Sequence, residues 1–513
     1  MVRNGRRISV SLLLLSVAVR MNAQAHMAVS RIFSDHMVLQ RDRPIHIWGT
    51  ASAGELISVT LDSGVQSTIT DTLRRWNVYL PPHAVGGPFT ITVKGSEVTE
   101  IKDVLIGDVW VASGQSNMEM TLAGFPDAPV ANAAEAIAKA DIPSIRLVKI
   151  PRTTSAYPLV DAPALTHWVV CNQDTVKDVS AVGYFFSRNI HEREKVPIGL
   201  IDSTWGGTPA EGWISLYGLS RSSALQPVME SRGIAMNFEE AANRREESER
   251  MAFEQGHPPA VFHGHPELVS SEPAALFNAM IAPLTKMAIR GVIWYQGESN
   301  AKKGRAFVYD RLFRSLIQDW RARWAIGDFP FLFVQISAFA ASDVDWPMLR
   351  DAQRRSLDVT QTGMAVTIDL ADRDPTNVHP ARKSEVADRL ALLARSLAYG
   401  EIVTANGPLF RQAVPQGDAM RIFFDHASGL KSIGGVPEEF EVAGEDGVFV
   451  PAIARIDGDT VIARSSTVPA PVHVRYAWKS YPKSANLYNS AELPASPFTS
   501  QQVESVPQDI ETK

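Results

Sequence analysis

Three short stretches of this sequence carry the side chains that acyl transfer requires. They are Ser113-Gly114-Gln115-Ser116-Asn117-Met118-Glu119-Met120, Trp294-Tyr295-Gln296-Gly297-Glu298-Ser299-Asn300 and Asp372-Arg373-Asp374-Pro375-Thr376-Asn377-Val378-His379-Pro380. Each follows an apolar run. Singly they are turn sequences, because Gly, Asn, Asp and Ser are what any turn uses. Together they supply a hydroxyl, an imidazole and several amide donors, which is the set of nucleophile, base and oxyanion donors that acyl transfer needs. Ser116 is the candidate nucleophile: Gly114 allows a tight turn, after which Ser116 can expose its hydroxyl and present its own N–H. A helix N-cap serine would suit the same position. No G-x-S-x-G elbow surrounds it, unlike the ordinary α/β-hydrolase order. His379 is the candidate base, placed before Pro380 and a helix predicted from about 381, where proline in the first turn is tolerated.

The elements that must position these groups follow from hydrophobic patterning. Strand-like runs at Val104–Ala112, Ile145–Ile150, Pro197–Ser203, Gly291–Gln296, Pro330–Ser337 and Met364–Leu370 alternate with helical patterns near 130–140, 180–194, 273–289, 302–323, 346–359 and 381–399. Strands bounded by helices of this length predict a mostly parallel sheet with helices on both faces, an α/β fold. In such a sheet the reactive groups belong at the carboxyl ends of the strands, where the three stretches lie. Residues 26–103 and 403–513 read instead as short β segments separated by Gly, Asp and Pro turns, an antiparallel sandwich pattern. The expected organisation is therefore 1–25 as a leader, 26–103 as an N-terminal β domain, 104–402 as the catalytic domain with a helical insertion at about 216–270, and 403–513 as a C-terminal β region.

Residues 1–25 have the three parts of a secretory signal: Arg3, Arg6 and Arg7, an apolar run from Ile8 to Val19, and the small-residue site Ala23-Gln24-Ala25. Its removal would take four arginines and no acids, moving the formal net charge from −6 to −10. The product is expected to be secreted or periplasmic, with no membrane span, since spanning needs about 20 consecutive apolar residues. An acidic chain without a basic arm is a poor nucleic-acid partner. A single cysteine, Cys171, excludes an internal disulfide and is expected to be an inert buried thiol.

The Gly114–Glu119 turn resembles the nucleophile block of the SGNH hydrolases, in the branch of sialate O-acetylesterases and related carbohydrate acetylesterases. Trp294–Asn300 resembles that branch's WYQGESN block, Asn377–Pro380 its D-x-H-P block, and Trp205-Gly206-Gly207-Thr208-Pro209-Ala210-Glu211-Gly212-Trp213 its glycine block. The resemblance runs in order from about residue 30 to 500. It implies an SGNH-type, flavodoxin-like sheet with jelly-roll-like accessory β material, and a carbohydrate O-acetylesterase acting on an acetylated glycan. The glycan would be a sialic acid ester or acetylated hemicellulose such as xylan or xyloglucan, with no metal or organic cofactor. Ser116 would attack and His379 accept its proton. The oxyanion would be held by the N–H groups of Ser116 and Gly207 and by a side-chain amide, Gln296 first and Asn300 second. Candidate sugar contacts are Gln115, Trp205, Glu298 and Trp346.

One departure stands out. Where the family usually places an acid two residues before the histidine, this chain has Asn377, which can orient a ring but cannot stabilise imidazolium by charge. Asn377 could orient His379, an acid could be supplied by Asp374 (the first choice), Asp372 or Glu298, or the pair could act as a dyad. A catalytically inactive glycan-binding protein on the same scaffold is the alternative reading. His257, His263 and His265 match no standard metal-ligand spacing. The mixed charges of 237–255 read as a solvated helix. Trp213 and Trp294 join Trp205 and Trp346 as stacking candidates, although aromatic core is the commoner fate of such residues.

Overall fold

The structure, a computed structural model, describes residues 26–225, 228, 269–342 and 344–501. The leader, the 237–255 segment and the three clustered histidines lie outside these residues. The organising element is one 17-residue strand, Val98–Gly114. Its first part alternates exposed and buried residues and pairs antiparallel with Gly86–Lys94 in the N-terminal β unit. From Val104 onward every residue is buried. There it runs parallel to Ile198–Thr204 on one side and to Gly291–Tyr295 on the other. The change of burial is the change from a half-solvated antiparallel sheet to a parallel sheet covered on both faces. The boundary expected between 103 and 104 therefore falls inside a strand, and one apolar core runs continuously from Met27 to Ala405.

Across the central sheet the order is Trp168–Val170, Ile145–Lys149, Ile198–Thr204, Val98–Gly114, Gly291–Tyr295, Phe331–Val334 and Thr362–Ala365. All neighbours are parallel except the first, antiparallel edge pair. All six expected strand runs are present. The chain passes from Val98–Gly114 to one side of the sheet and, after Ile198–Thr204, crosses to the other, so the carboxyl ends of the three central strands lie at a topological switch point, where open α/β sheets bind ligands in a crevice. Helices Ala181–Glu194 and Lys383–Leu397 pack together, as do Tyr309–Trp324 and Trp346–Arg355.

The helix expected at 273–289 is replaced by a π-helical turn, Phe277–Ile281, followed by a 3-10 turn, Ala282–Leu284. Pro283 cannot donate to a continuing helix. Asn278 Nδ2 is also drawn to the carbonyls of Ser155 and Ala156, at 3.1 and 3.0 Å.

The C-terminal region builds two four-stranded antiparallel sheets around a second core containing Ile422, Val442, Val461, Val474, Tyr476 and Phe498. It is fastened to the parallel sheet by Arg350, a fully buried guanidinium with no acidic partner. Its N–H groups donate to the carbonyls of Ile336, Ser337, Lys479 and Ser480 at 2.7 to 3.1 Å. Four carbonyls take the place of a counter-ion, and burial pushes the Arg350 pKa down to about 9.

Candidate active site

Gly114 ends the long strand with φ +131°, and a Cβ there would lie 2.2 Å from the Tyr295 carbonyl oxygen. Only glycine allows that approach. The Gln115 N–H then donates to Tyr295 O at 3.0 Å, and the Trp205 N–H to Gly114 O at 3.1 Å, so the ends of three strands are tied together. Ser116 opens a four-residue helical turn, Ser116–Glu119. At its first position the Ser116 N–H has no acceptor within the helix and faces outward from its start.

The glycine turn after Ile198–Thr204 packs directly on the serine. A Cβ at Gly206 would sit 3.3 Å from Ser116 Cβ and 2.8 Å from Glu119 Oε2. Glu119, buried, accepts the Gly206 N–H at 2.8 Å and the Arg152 Nε–H at 2.6 Å. Gly207 follows at φ +73°, a left-handed conformation that glycine adopts without strain, and its N–H has no protein acceptor among the described residues. Arg152, half exposed, lies 6.0 Å from the Trp205 ring centroid at the edge of the crevice.

His379 arrives from the loop after Thr362–Ala365. Its Nε2 is 2.9 Å from Ser116 Oγ, across 263 residues of sequence. The Phe125 ring stands edge-on to the imidazole, with centroids 5.2 Å apart. Burial first, and the charge of Lys383 second, push the His379 pKa down to about 4. The ring is therefore neutral at ordinary pH and can accept the serine proton.

The loop is held by its backbone. Asn377 Oδ1 accepts the His379 N–H at 2.9 Å, while Asn377 Nδ2 donates to His379 O at 3.1 Å and to Asp372 Oδ2 at 2.6 Å. Asp372 Oδ1 also accepts the Ala381 N–H at 3.2 Å. A serine hydroxyl hydrogen-bonded to a neutral imidazole, with two adjacent backbone N–H groups beside it, is chemically equipped for nucleophilic attack on an ester.

Known proteins with the same organisation decide the family. A family model described as carbohydrate esterase, sialic acid-specific acetylesterase, matches residues 268–395. The sialate O-acetylesterase of Rattus norvegicus is 30% identical over 541 residues, covering 96% of this chain and 98% of the rat protein. That of Homo sapiens is 32% identical over 517 residues, with 91% of each chain covered. The crystal structure of a carbohydrate acetylesterase from Xanthomonas citri superposes with a TM-score of 0.80 at 35% identity, covering 93% of this chain and 100% of that one. The chain belongs to the sialate O-acetylesterase family. It is an esterase, and its mixed α/β fold with added antiparallel sheets is that of a carbohydrate esterase.

Several candidate residues of the esterase stand elsewhere than the sequence implied. Asp374 is exposed, and its Oδ1 accepts the Thr376 N–H and Oγ1–H at 2.9 and 2.7 Å, a local turn that does not reach His379. Asn377 orients the loop backbone rather than the imidazole. Gln296 is fully buried. Its Nε2 donates to Gln115 Oε1, Thr208 O and Asn300 Oδ1 at 3.2, 3.2 and 2.7 Å, and Tyr309 OH donates to its Oε1 at 2.9 Å. Asn300 Nδ2 donates to Glu211 Oε2 at 2.9 Å. Both amides are engaged in hydrogen bonds inside the protein.

Gln115 is buried as well, and its Oε1 accepts the Ser299 N–H at 3.1 Å, which joins two turns. Trp346 is buried with its Nε1 donating to Ser337 O at 2.7 Å. Trp213 and Trp294 are fully buried in an aromatic core. Trp205 alone of the four tryptophans is only partly buried. Glu298 points inward, accepting the Asn117 Nδ2–H at 2.5 Å, and burial raises its pKa.

Residues missed by the sequence reading are Asn117, Glu119, Phe125, Arg152 and Lys383. The first two stood within the quoted nucleophile block. The others carried no local signal. Cys171 is buried, its thiol pushed up to about 12 by burial. Among the described residues no group of three or more His, Cys, Asp or Glu side chains could hold a metal, and no helix is long and apolar enough to cross a membrane.

Proposed function

We propose that this esterase removes acetyl groups from glycans through a Ser116–His379 acetyl-enzyme mechanism. The 2.9 Å bond between Ser116 Oγ and a neutral His379 Nε2 carries the reading. Ser116 Oγ attacks the acetyl carbonyl carbon as its proton passes to His379 Nε2. The resulting oxyanion is held by the Ser116 and Gly207 N–H groups. His379 returns the proton to the departing sugar oxygen as the ester C–O bond breaks, leaving acetyl-Ser116. A water then attacks with His379 as base, Ser116 Oγ leaves with its proton restored, and acetate is released. The Ser116 and Gly207 N–H groups have no acceptor among the described residues, which favours them over the engaged amides of Gln296 and Asn300.

Arg152 beside Trp205 offers a cation and an aromatic face at the crevice edge, and this favours an acidic sugar such as an acetylated sialic acid over neutral hemicellulose. The arginine-rich start, apolar run and small-residue site of residues 1–25 support export to where such glycans are met. The test is acetate release from acetylated sialosides, xylan, xyloglucan and mannan by wild type and Ser116→Ala. Wild type should release acetate, fastest from sialosides, and Ser116→Ala should release none while folding normally. Retained activity in that variant would overturn the mechanism, and absence of release by wild type from every substrate would return the inactive glycan-binding reading.

A further inference from the structure

We infer that Asn117 is a positioning residue that sets the Ser116–His379 contact, with Lys383 fixing the orientation of its amide; this rests on the reading of Ser116 and His379 as nucleophile and base. Asn117 directly follows the nucleophile, and its side chain crosses to the segment carrying the base. Its Nδ2 donates to the carbonyl of Val378, the residue before His379, at 2.9 Å, and to Glu298 Oε1 at 2.5 Å. Its Oδ1 accepts from Lys383 Nζ. Apart from the Ser116–His379 bond, this is the one hydrogen bond among the described residues that joins 116–119 to 376–380. Asn117 and Lys383 are each 1% exposed, so neither can touch a substrate in the crevice.

The chemistry of the partners dictates which way the amide faces. Burial pushes the Lys383 pKa down to about 7; in its charged form it only donates, so the amide oxygen faces Lys383 and the two N–H groups face the Val378 carbonyl and the Glu298 carboxyl. Turning the amide over would place donor against donor and acceptor against acceptor at all three contacts. Lys383 is itself held below the Tyr295 ring, 5.6 Å from its centroid, and between the charges of Glu298 and Asp372. One amide therefore joins the nucleophile turn, the Glu298 turn and the histidine loop, and its orientation is set from the first residue of the helix Lys383–Leu397.

The experiment compares Asn117→Ala, Asn117→Asp and Ser116→Ala, with folding checked by thermal unfolding and active sites titrated with a fluorophosphonate. Displacing reacting groups by about 1 Å costs on the order of a hundredfold in rate. In the two Asn117 variants kcat should fall by about that factor and fluorophosphonate labelling of Ser116 should slow in proportion, while KM stays within about threefold of wild type. Asn117→Asp keeps the volume but cannot donate to Val378, so it should not rescue. Wild-type kcat in either folded Asn117 variant, or a rise in KM with kcat unchanged, would overturn the inference. Inactivity of Ser116→Ala leaves the nucleophile reading standing whichever way Asn117 falls, whereas activity in it overturns both.

Discussion

The pH dependence of this esterase follows from how His379 is held. An unperturbed histidine titrates near 6.5, and burial with the added charge of Lys383 pushes this one down to about 4. The free-enzyme base should therefore remain neutral through mildly acidic conditions. At pH 5 a base titrating at about 4 is ~90% neutral, whereas one at 6.5 would be only ~3% neutral, a difference of about thirtyfold in competent enzyme. The assay is kcat/KM for a soluble acetyl ester from pH 3.5 to 8, which reports free-enzyme ionisations. The acid limb should lie near 4. Lys383→Met removes the smaller cause and leaves burial in place, so its limb should move up yet stop short of 6.5, whatever happens to its absolute rate.

Stability should follow the same titration. The depressed value corresponds to about 3 kcal/mol at 1.36 kcal/mol per unit, discounted to about 2 because the ring is partly open to solvent. The unfolded state binds the proton more readily, so this stability is intact above 6.5 and lost as pH falls toward 4. A wild-type limb near 6.5, or an unmoved limb in Lys383→Met, would refute this account.

Two other substitutions separate site from scaffold. Gln296→Ala removes the buried amide that donates to Asn300 Oδ1 and accepts from Tyr309 OH, leaving the first only the Ala210 N–H and the second only the 3.3 Å contact to the residue 296 carbonyl, so it should lower stability by about 1–3 kcal/mol, seen as a drop in Tm, before any specific effect on kcat. Asp374→Asn disturbs only an exposed turn to Thr376 and should keep kcat/KM within about threefold of wild type. Asn377→Asp should cost more, about tenfold or beyond, because it sets a second carboxylate where Asn377 Nδ2 now meets Asp372 Oδ2 at 2.6 Å. The opposite rank order in kcat/KM would restore Asp374 as the acid.

Much of the fold was legible because parallel strands buried on both faces read as unbroken apolar runs. All six were located within a few residues, although the polar-alternating start of Val98–Gly114 hid its continuity with the N-terminal unit. Ser116 and His379 stood out as candidates by their place at strand ends together with the family resemblance, and the structure brings their side chains to 2.9 Å. Motif membership shows that a residue stands near the site but not where its side chain points. Gln296, Asn300 and Gln115 all lie in the expected turns, and each is tied by hydrogen bonds to other buried groups, Asn300 to the Glu211 carboxylate among them. Asp374 reads as an Asp-Pro turn residue as well as a candidate acid, and the structure shows it in a turn to Thr376. Lys383 could not: a lysine at a helix start is ordinarily a surface residue, and only the third dimension brings Asn117, Glu298 and Asp372 around it.

In the proposed mechanism the histidine would work without a carboxylate on its ring, and its surroundings account for how. Among the described residues nothing accepts from Nδ1, and Asp372 is engaged with Asn377 and the Ala381 N–H in holding the loop backbone. A triad carboxylate would raise the base and stabilise imidazolium. Here Phe125, burial and Lys383 act in the other direction, so the ring is a weaker base that is almost always in the accepting form. A weaker base lowers the driving force for proton transfer, and the remaining stabilisation must come from the oxyanion side. Two backbone N–H groups, at Ser116 and Gly207, are placed for that, and one such donor is worth ~3–4 kcal/mol in the transition state. Their placement depends on Glu119 holding Gly206, and the histidine's on Asn117 holding Val378. Proton affinity at the base is thereby exchanged for fixed geometry around the nucleophile, and the side chains that fix it are the buried polar ones that never meet the substrate.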